Sequence, residues 1–218
     1  MESTQPFDDR AYAYLKSGDL VTAIARQHCR VDVDTTSHLR WRQLMGLMRE
    51  VDTWADDSDV SRDVVITGLY DFVLFKDRSP DLTTAATGDV VHAAVLRRAE
   101  YILQLGDVIS QTTTLDDFVE LRIQEAYETV NLFADTATPH VSEQAAFADD
   151  FLPTVRALGA AATLYDSMVD GKKDVQQGKQ VLVPNREYYQ ALGKATVQQG
   201  KLGGAALLHV GPLWNLGV

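Results

Sequence analysis

Cysteine is almost absent from the sequence, which contains Cys29 and no other. A lone thiol excludes an internal disulfide framework and fits the reducing cytoplasm, where we expect this protein to reside. No nucleophile motif surrounds Cys29, so we predict a buried and inert thiol. The five histidines include no pair spaced three or four residues apart, which argues against a zinc or di-iron site on helices.

Basic residues and long apolar runs are also scarce. The chain has 20 Lys and Arg against 31 Asp and Glu, a net charge of -11, which argues against a nucleic-acid partner. No run approaches the roughly 20 apolar residues of a membrane-spanning helix, and the polar start Met1–Arg10 lacks the apolar core of a signal peptide. We therefore expect a soluble protein without a transmembrane segment. A metal-bridged anionic ligand remains compatible with the charge, because bound cations reverse the local field.

Helical periodicity dominates what is present, while alternating strand patterns are short and isolated. Apolar residues recur at intervals of three and four, and Thr114 before Leu and two acids is typical of a helix N-cap. The pattern predicts helices over Leu39–Trp54, Val90–Ile109 and Thr114–Phe133, one from about Ser142, and one from Pro153 to Val169. The polar stretch Gly171–Gly178 predicts a flexible connector. We predict one all-α domain over residues 1–218, a bundle of about seven to nine helices of usual length.

Two clusters of aspartates follow apolar helical stretches. In the first, Asp52 and Asp56 are four residues apart and share one face of the predicted helix. In the second, Asp166, Asp170 and Asp174 repeat this spacing and share a face if the helix continues. Carboxylates on one face repel one another, and the end of a helix disfavours anions. Such local conflicts tend to mark function, although a solvated acidic surface is the alternative.

Two converging acidic faces would suit the binding of a diphosphate through Mg²⁺. This ion prefers oxygen ligands and is typically held by one or two carboxylates together with substrate phosphates. Metal ions would stabilise the negative charge that develops when diphosphate leaves an allylic carbon. An apolar cavity with aromatic walls would shelter the carbocation, and Tyr165, next to Asp166, is the best candidate for its lining.

The two clusters resemble the aspartate motifs of the squalene and phytoene synthase family, within the class I isoprenoid synthases. Arg49, Asp52 and Asp56 have the register of the first family motif, R-x-x-D-x-x-x-D. The second cluster is similar to the pattern in which Leu-Gly precedes N-x-x-x-D-x-x-x-D by six residues. The matching positions are Leu158-Gly159, Asp166, Asp170 and Asp174, followed by Gly178-Lys179 and Pro184. Asp166 replaces the usual Asn, and both side chains ligate metal through oxygen.

This resemblance implies an all-helical fold around a central apolar cavity with a trinuclear Mg²⁺ site. The implied metal ligands are Asp52, Asp56, Asp166, Asp170 and Asp174. The implied ligands of the diphosphate are Arg49, Lys172, Lys173 and Lys179. For each lysine, charge balance for the adjacent acids is an equally good interpretation. Arg49 and Tyr165 are expected to act in catalysis.

Arg122 is a further candidate for catalysis and for binding the diphosphate. Terpene cyclases carry a diphosphate-sensing arginine at a similar distance before their second metal motif, and Arg122 lies 44 residues before Asp166. The resemblance implies a direct contact between this guanidinium and the substrate. An ion pair with Glu125 or Asp117 on the helix surface is the alternative.

The chain departs from the family by lacking its small-residue motif, Val-Ala-Gly-x-Val-Gly. The departure favours ionisation of a single isoprenyl diphosphate, followed by cyclisation or transfer. The leading hypothesis is therefore a Mg²⁺-dependent class I terpene synthase or related prenyltransferase that releases diphosphate. Head-to-head condensation of the squalene or phytoene type is one alternative, and a non-catalytic helical protein that binds a prenyl lipid or acts as a scaffold is another. The sequence also leaves a homodimer open.

Overall fold

A computed structural model describes residues 9–35, 37–39, 41–42, 45, 88–136 and 144–209. All regular structure within these ranges is helical, which confirms the all-α expectation. The helices are α1 (Asp9–Ala23), α2 (Gly88–Gln111), α3 (Leu115–Thr136), α4 (Gln144–Ala146), α5 (Leu152–Gln176) and α6 (Arg186–His209). None of the helices in the described ranges combines the length and the apolar character that a bilayer crossing requires. The first acidic cluster, with Arg49, Asp52 and Asp56, lies outside the described residues, as does most of the helix predicted over Leu39–Trp54.

Within the described ranges, two π-helical turns interrupt the α-helical pattern. The first, Ile24–His28, continues α1, and the second, Phe147–Phe151, joins α4 to α5. Each turn buries two apolar side chains, and the two turns pack against each other. No feature of the sequence predicts either turn. The contact between the two π-helical turns therefore holds the start of α5 against the end of α1.

The N-terminal part of the fold combines α1 with a helical stretch that follows Asp34. The Asp34 carboxylate accepts a hydrogen bond from the backbone N–H three residues later at 2.7 Å, which is the geometry of an N-cap. A Cβ on Gly18 of α1 would stand 2.9 Å from the Cα of Arg42, so the two segments meet at backbone contact. Trp41 stacks on Phe151 with ring centroids 5.4 Å apart, and both are fully buried. This stretch is thus packed against both α1 and the start of α5.

Helices α2 and α3 form an antiparallel pair joined by residues 112–114. Thr114 precedes α3, and its hydroxyl accepts a hydrogen bond from the N–H of Asp117 at 3.4 Å, so the predicted N-cap is confirmed. Farther along the pair, Arg98 of α2 forms ion pairs with Glu128 and Asp135 of α3. Both helices confirm the sequence prediction: α2 extends two residues beyond each predicted limit, whereas α3 begins directly after Thr114 and ends three residues beyond the predicted Phe133.

Helices α5 and α6 form a second antiparallel pair, and α5 also packs against α3. The sequence predicts a connector over Gly171–Gly178, but that prediction is wrong for most of the stretch, because α5 continues to Gln176. The helix ends at a Schellman motif in which Gly178 has a φ of 73°. The N–H groups of Gly178 and Lys179 bind carbonyls of the last helical turn at 3.1 and 2.8 Å. Helix α5 therefore carries the whole second acidic cluster.

The buried side chains that the structure describes form two clusters. One surrounds Phe151 and joins the π-helical turns to α2, α3, α5 and α6. The other lies between α2, α3, α5 and α6 and contains Phe118, Leu164 and Tyr188. Cys29 belongs to the first cluster, and burial, with a smaller effect from Asp150, raises the pKa of its thiol to about 11. Burial and the raised pKa agree with the expectation of an inert thiol.

Candidate functional site

The second acidic cluster occupies the C-terminal half of α5. Asp166, Asp170 and Asp174 all fall within Leu152–Gln176, so one face of the helix carries a carboxylate at every fourth residue. Each interval of four residues covers about 6 Å along the helix axis. Neighbouring carboxylates can therefore approach a common cation, whereas the two outer carboxylates stand about twice as far apart.

The environment of this face opposes ionisation of its outer carboxyls. Desolvation by surrounding side chains raises the pKa of Asp166 and of Asp174 above the ordinary value of 3.8, and the charge of Asp170 adds to both rises. Arg122 and Lys173 oppose both rises without cancelling them. Burial is therefore the main obstacle to ionisation of these two carboxyls, and a bound cation would stabilise their charged forms.

Arg122 lies on α3, close enough to the acidic face to lower the pKa of Asp166 and Asp174. Its Nη1 also lies 2.9 Å from Glu125 Oε2, and its guanidinium carbon stands 5.4 Å from the centre of the Phe118 ring. The Nε–H of Arg122 is buried and has no acceptor among the described residues. A buried donor without an acceptor is costly, and an anionic oxygen supplied by a ligand would satisfy it. The ion pair with Glu125, which the sequence offered as the alternative, is present, and the contact of Arg122 with a diphosphate stays a prediction.

Two of the three lysines named from the sequence lower the pKa of carboxyls on the acidic face. Lys173 lowers the pKa of Asp166 and Asp174, and Lys179 lowers that of Asp174. Lys172 is exposed and is not among the groups that shift either carboxyl. Basic groups thus reach the face from α3, from α5 itself and from the connector that follows α5.

Tyr188 of α6 fixes the backbone of α5 beside the acidic face. Its hydroxyl donates to the Ser167 carbonyl at 2.9 Å, and its buried ring lies 5.6 Å from that of Phe118. A Cβ on Gly171 would stand 2.8 Å from the Tyr188 oxygen, so the close approach of α6 requires a glycine there. The Asn185 side chain caps α6 by accepting the Tyr188 N–H at 2.9 Å. Burial raises the pKa of the Tyr188 phenol, which keeps this donor protonated.

Sequence reasoning missed Gln180, in the connector between α5 and α6. The side chain is 3% exposed, its Nε2 donates to the Leu182 carbonyl, and its Oε1 has no partner among the described residues. The Gln180 side chain also opposes the rise in the pKa of the Tyr188 phenol. The sequence shows only a polar residue beside an apolar run, and that pattern does not separate a buried glutamine from an exposed one.

Tyr165 lies on the exposed side of α5, where 61% of its surface is accessible. Tyr165 adjoins Asp166 in sequence. It would be enclosed above the acidic face only if another segment covered this side of α5. The predicted residues Arg49, Asp52 and Asp56, which would supply an opposite side of the site, lie outside the described residues. The central apolar cavity thus stays a prediction.

The residues on α5 fit Mg²⁺ bound together with a phosphate ligand. No group of three His, Cys, Asp or Glu side chains among the described residues forms a ready metal site. Mg²⁺ does not require one, because it is typically held by one or two carboxylates, by substrate phosphates and by water. The oxygen donors at every fourth residue, the burial that disfavours their ionisation without a cation, and the orphaned Nε–H of Arg122 suit this mode of binding.

No protein-family model, no curated protein and no solved structure matches the chain. The likeness to squalene and phytoene synthases therefore rests on the quoted motifs, and membership of the class I isoprenoid synthases stays a prediction.

Proposed function

We propose that the chain is a Mg²⁺-dependent enzyme that ionises an allylic isoprenyl diphosphate, in the manner of a class I terpene synthase or prenyltransferase. The observation that supports this most is the position of Arg122 on α3 near Asp166 and Asp174 on α5, although 44 residues separate it from Asp166. Arginine binds phosphate oxygens through charge-assisted hydrogen bonds, and aspartates bind Mg²⁺. A diphosphate bridged by Mg²⁺ would use both.

The chain's own residues would bind and orient the leaving group. The buried Nε–H of Arg122 would donate to a phosphate oxygen, and Lys173 and Lys179 would add positive charge beside it. Asp170 lies between Asp166 and Asp174 and raises the pKa of both. It would therefore be a ligand of the metal whether the second ligand is Asp166 or Asp174. Mg²⁺, when bound, supplies the charge neutralisation that makes the diphosphate a better leaving group.

Cleavage of the allylic C–O bond leaves both bonding electrons on the diphosphate and a cation on the prenyl chain. The cation is then cyclised, loses a proton or is captured by an acceptor. The proposal assigns the opposite side of the site to Arg49, Asp52 and Asp56, and part of the wall around the cation to Tyr165. Aromatic faces stabilise a cation, and enclosure would keep water from it.

A specific observation also favours the non-catalytic alternative. The ion pair between Arg122 and Glu125 satisfies part of the guanidinium within α3 itself. In a helical scaffold or a prenyl-lipid-binding protein, this pair would be structural and the aspartates would form a solvated face. Removal of a carboxylate would then leave function unchanged. Loss of the same carboxylate in the proposed enzyme would abolish turnover without unfolding the chain.

The proposal is tested by incubating the purified chain with geranyl, farnesyl and geranylgeranyl diphosphates, each with Mg²⁺ and with EDTA. Released diphosphate and extracted hydrocarbons are measured together. We expect release only with Mg²⁺, from one preferred chain length, with a defined product. A product that contains two prenyl chains joined head to head would identify the condensing alternative.

Two variants and a matched control separate the enzyme from the scaffold. Asp170→Asn and Arg122→Gln should each lower the rate of release at least about a hundredfold, because the first removes a ligand of Mg²⁺ and the second removes a donor to the leaving group. Asp116→Asn removes an exposed acid from the start of α3 and should leave the rate unchanged. Equal rates in all three variants, or no release from any substrate by folded wild-type protein, would move the assignment to the non-catalytic alternative.

A further inference from the structure

A second candidate site lies near the other end of α5. A surface cavity of about 350 Å³ is bordered by the first turns of α5, by α3 and by the end of α6. Ala157 in its wall and Asp166 on the acidic face are nine residues apart, which corresponds to about 13 Å of helix. The volume is at the low end of the roughly 300–1,000 Å³ typical of ligand cavities, so a small molecule fits better than a long prenyl chain.

Both π-helical turns contribute to this cavity. His28 ends the first turn, Asp149 and Asp150 belong to the second, and all three line the cavity. π-Helical turns are rare in proteins, and those that occur often lie at functional sites. Their convergence on one cavity singles it out from the rest of the described surface.

The cavity also brings together charges of both signs that form no ion pair with another described residue. Asp149 and Asp150 are exposed, and neither forms an ion pair with a described residue. Arg156 directs its Nε–H and an Nη2–H to one neutral acceptor, Asn131 Oδ1, at 2.9 and 2.5 Å. By contrast, Arg98 is paired with two carboxylates. The guanidinium of Arg156 therefore keeps its positive charge and several N–H groups for another acceptor.

The remaining walls supply the hydroxyl groups of Tyr127 and Thr154 and some apolar surface. The hydroxyl of Tyr127 donates to Gln199 Oε1 at 3.2 Å, so its oxygen can still accept a hydrogen bond. Pro153 and Leu202 provide apolar contacts. The lining thus combines charged and polar side chains with a smaller apolar part, which suits a small charged ligand better than an apolar one.

We propose that this cavity binds a small zwitterion, a molecule that carries an ammonium and a carboxylate as free amino acids do. The ammonium would lie against Asp149 and Asp150 and donate to the Tyr127 oxygen. The carboxylate would accept the N–H groups of Arg156 that Asn131 leaves unused, in the fork geometry that arginine favours. An anion alone would meet two carboxylates, and a cation alone would meet Arg156. A zwitterion matches both, and its binding is independent of the diphosphate chemistry proposed for the acidic face.

The test uses the full chain and the proteinogenic amino acids in pools, with saturation-transfer NMR as the readout. Each amino acid that binds is then compared with its methyl ester, which lacks the carboxylate, and with its N-acetyl form, which lacks the ammonium. We expect at least one amino acid to bind with a millimolar or tighter Kd. Both derivatives should bind at least about tenfold more weakly, since each loses one charge-assisted contact.

Variants connect the binding to the cavity. The double variant Asp149→Asn with Asp150→Asn, and the single variant Arg156→Gln, should each weaken the Kd at least about tenfold, while Asp116→Asn on α3 should leave it unchanged. Circular dichroism checks the fold, and Arg156→Lys replaces Arg156→Gln if the latter does not fold. The proposal is overturned if no amino acid binds at about ten millimolar. It is also overturned if the double variant binds the amino acid as tightly as the wild-type chain does, and the wild-type chain binds the ester and the N-acetyl form as tightly as the amino acid.

Discussion

Gly203 and Gly204 are sequence neighbours on α6 with different surroundings. A Cβ on Gly203 would stand 2.6 Å from Leu158 Cγ and 3.0 Å from the Thr154 carbonyl oxygen, whereas a Cβ on Gly204 would meet no described residue within 4 Å. Gly203→Ala should therefore lower the free energy of unfolding by about 1–3 kcal/mol, the usual cost of overpacking. Gly204→Ala should raise it by up to about 1 kcal/mol, because alanine favours a helix over glycine.

Urea denaturation of the two alanine variants measures this difference against the wild-type chain. The substitutions are chemically identical and adjacent, so the comparison isolates the contact between α5 and α6. A loss of equal size in both variants would contradict the close approach of the two helices at Gly203.

The acidic face of α5 predicts how charge affects the stability of the metal-free protein. Asp170 forms a like-charge pair with Asp166 and another with Asp174, and each such pair costs about 0.2–0.5 kcal/mol. Asp170→Asn should therefore raise the melting temperature at neutral pH, in EDTA, by about 1–3 °C for a chain of this size. A substitution that improves stability while it abolishes turnover is typical of a functional residue.

The pH dependence of that gain follows from the raised pKa values of Asp166 and Asp174. A carboxyl with a raised native pKa binds protons more readily in the folded chain, so its contribution to stability is greatest at low pH. That contribution is lost as the pH rises above 3.8 and through the raised values. The rise in melting temperature caused by Asp170→Asn should be full at neutral pH. It should shrink as the pH falls toward 3.8, because Asp166 and Asp174 become protonated and no longer repel Asp170. Thermal melts in a pH series check this, and a gain that persists at low pH would exclude charge repulsion as its cause.

The end of α5 depends on a glycine with a left-handed backbone. Gly178 has a φ of 73°, and a Cβ added there would meet nothing within 4 Å, so the cost of a side chain at this position is conformational. Gly178→Ala should lower the free energy of unfolding by about 1 kcal/mol. Gly106→Ala, within α2 and equally free of contacts, should not lower it. Denaturation curves for the two variants measure the cap directly, and equal stabilities would argue against it.

Whole elements could be predicted from the sequence where their signals are local. Thr114 and the apolar spacing that follows it act within a few residues, and α3 begins where they indicate. The path of α5 through Gly171 could not be predicted, because it depends on Tyr188, which reaches the backbone of Ser167 from α6. The two π-helical turns likewise depend on packing between distant segments.

The candidate site shows the same division. The spacing of the second acidic cluster predicts one carboxylate face, and the continuous helix carries it. The position of Arg122 beside that face follows from the packing of α3 on α5. The spacing of residues does not encode this packing, and only the resemblance to a family pattern suggested Arg122 as a site residue. Gln180 and Asn185 gave no signal, since their roles are hydrogen bonds to groups that the fold brings together.

At the scale of the whole molecule, net charge makes the proposed function strongly dependent on metal. The chain carries a formal charge of -11, and the acidic face lies where the diphosphate would bind. Without a cation, both the overall field and the local carboxylates repel this ligand. With Mg²⁺ bound, the same carboxylates become the means of holding it. Binding should therefore be absent without metal rather than merely weaker.

The most direct test of this claim is calorimetric titration of inorganic pyrophosphate into the chain, because it requires no knowledge of the prenyl length. We predict binding with Mg²⁺ and none with EDTA. Asp170→Asn and Arg122→Gln should weaken the Kd at least about tenfold, and Asp116→Asn should not change it. Absence of binding to the folded wild-type chain in Mg²⁺, or equal affinity in Asp170→Asn, would contradict a Mg²⁺-diphosphate site on α5.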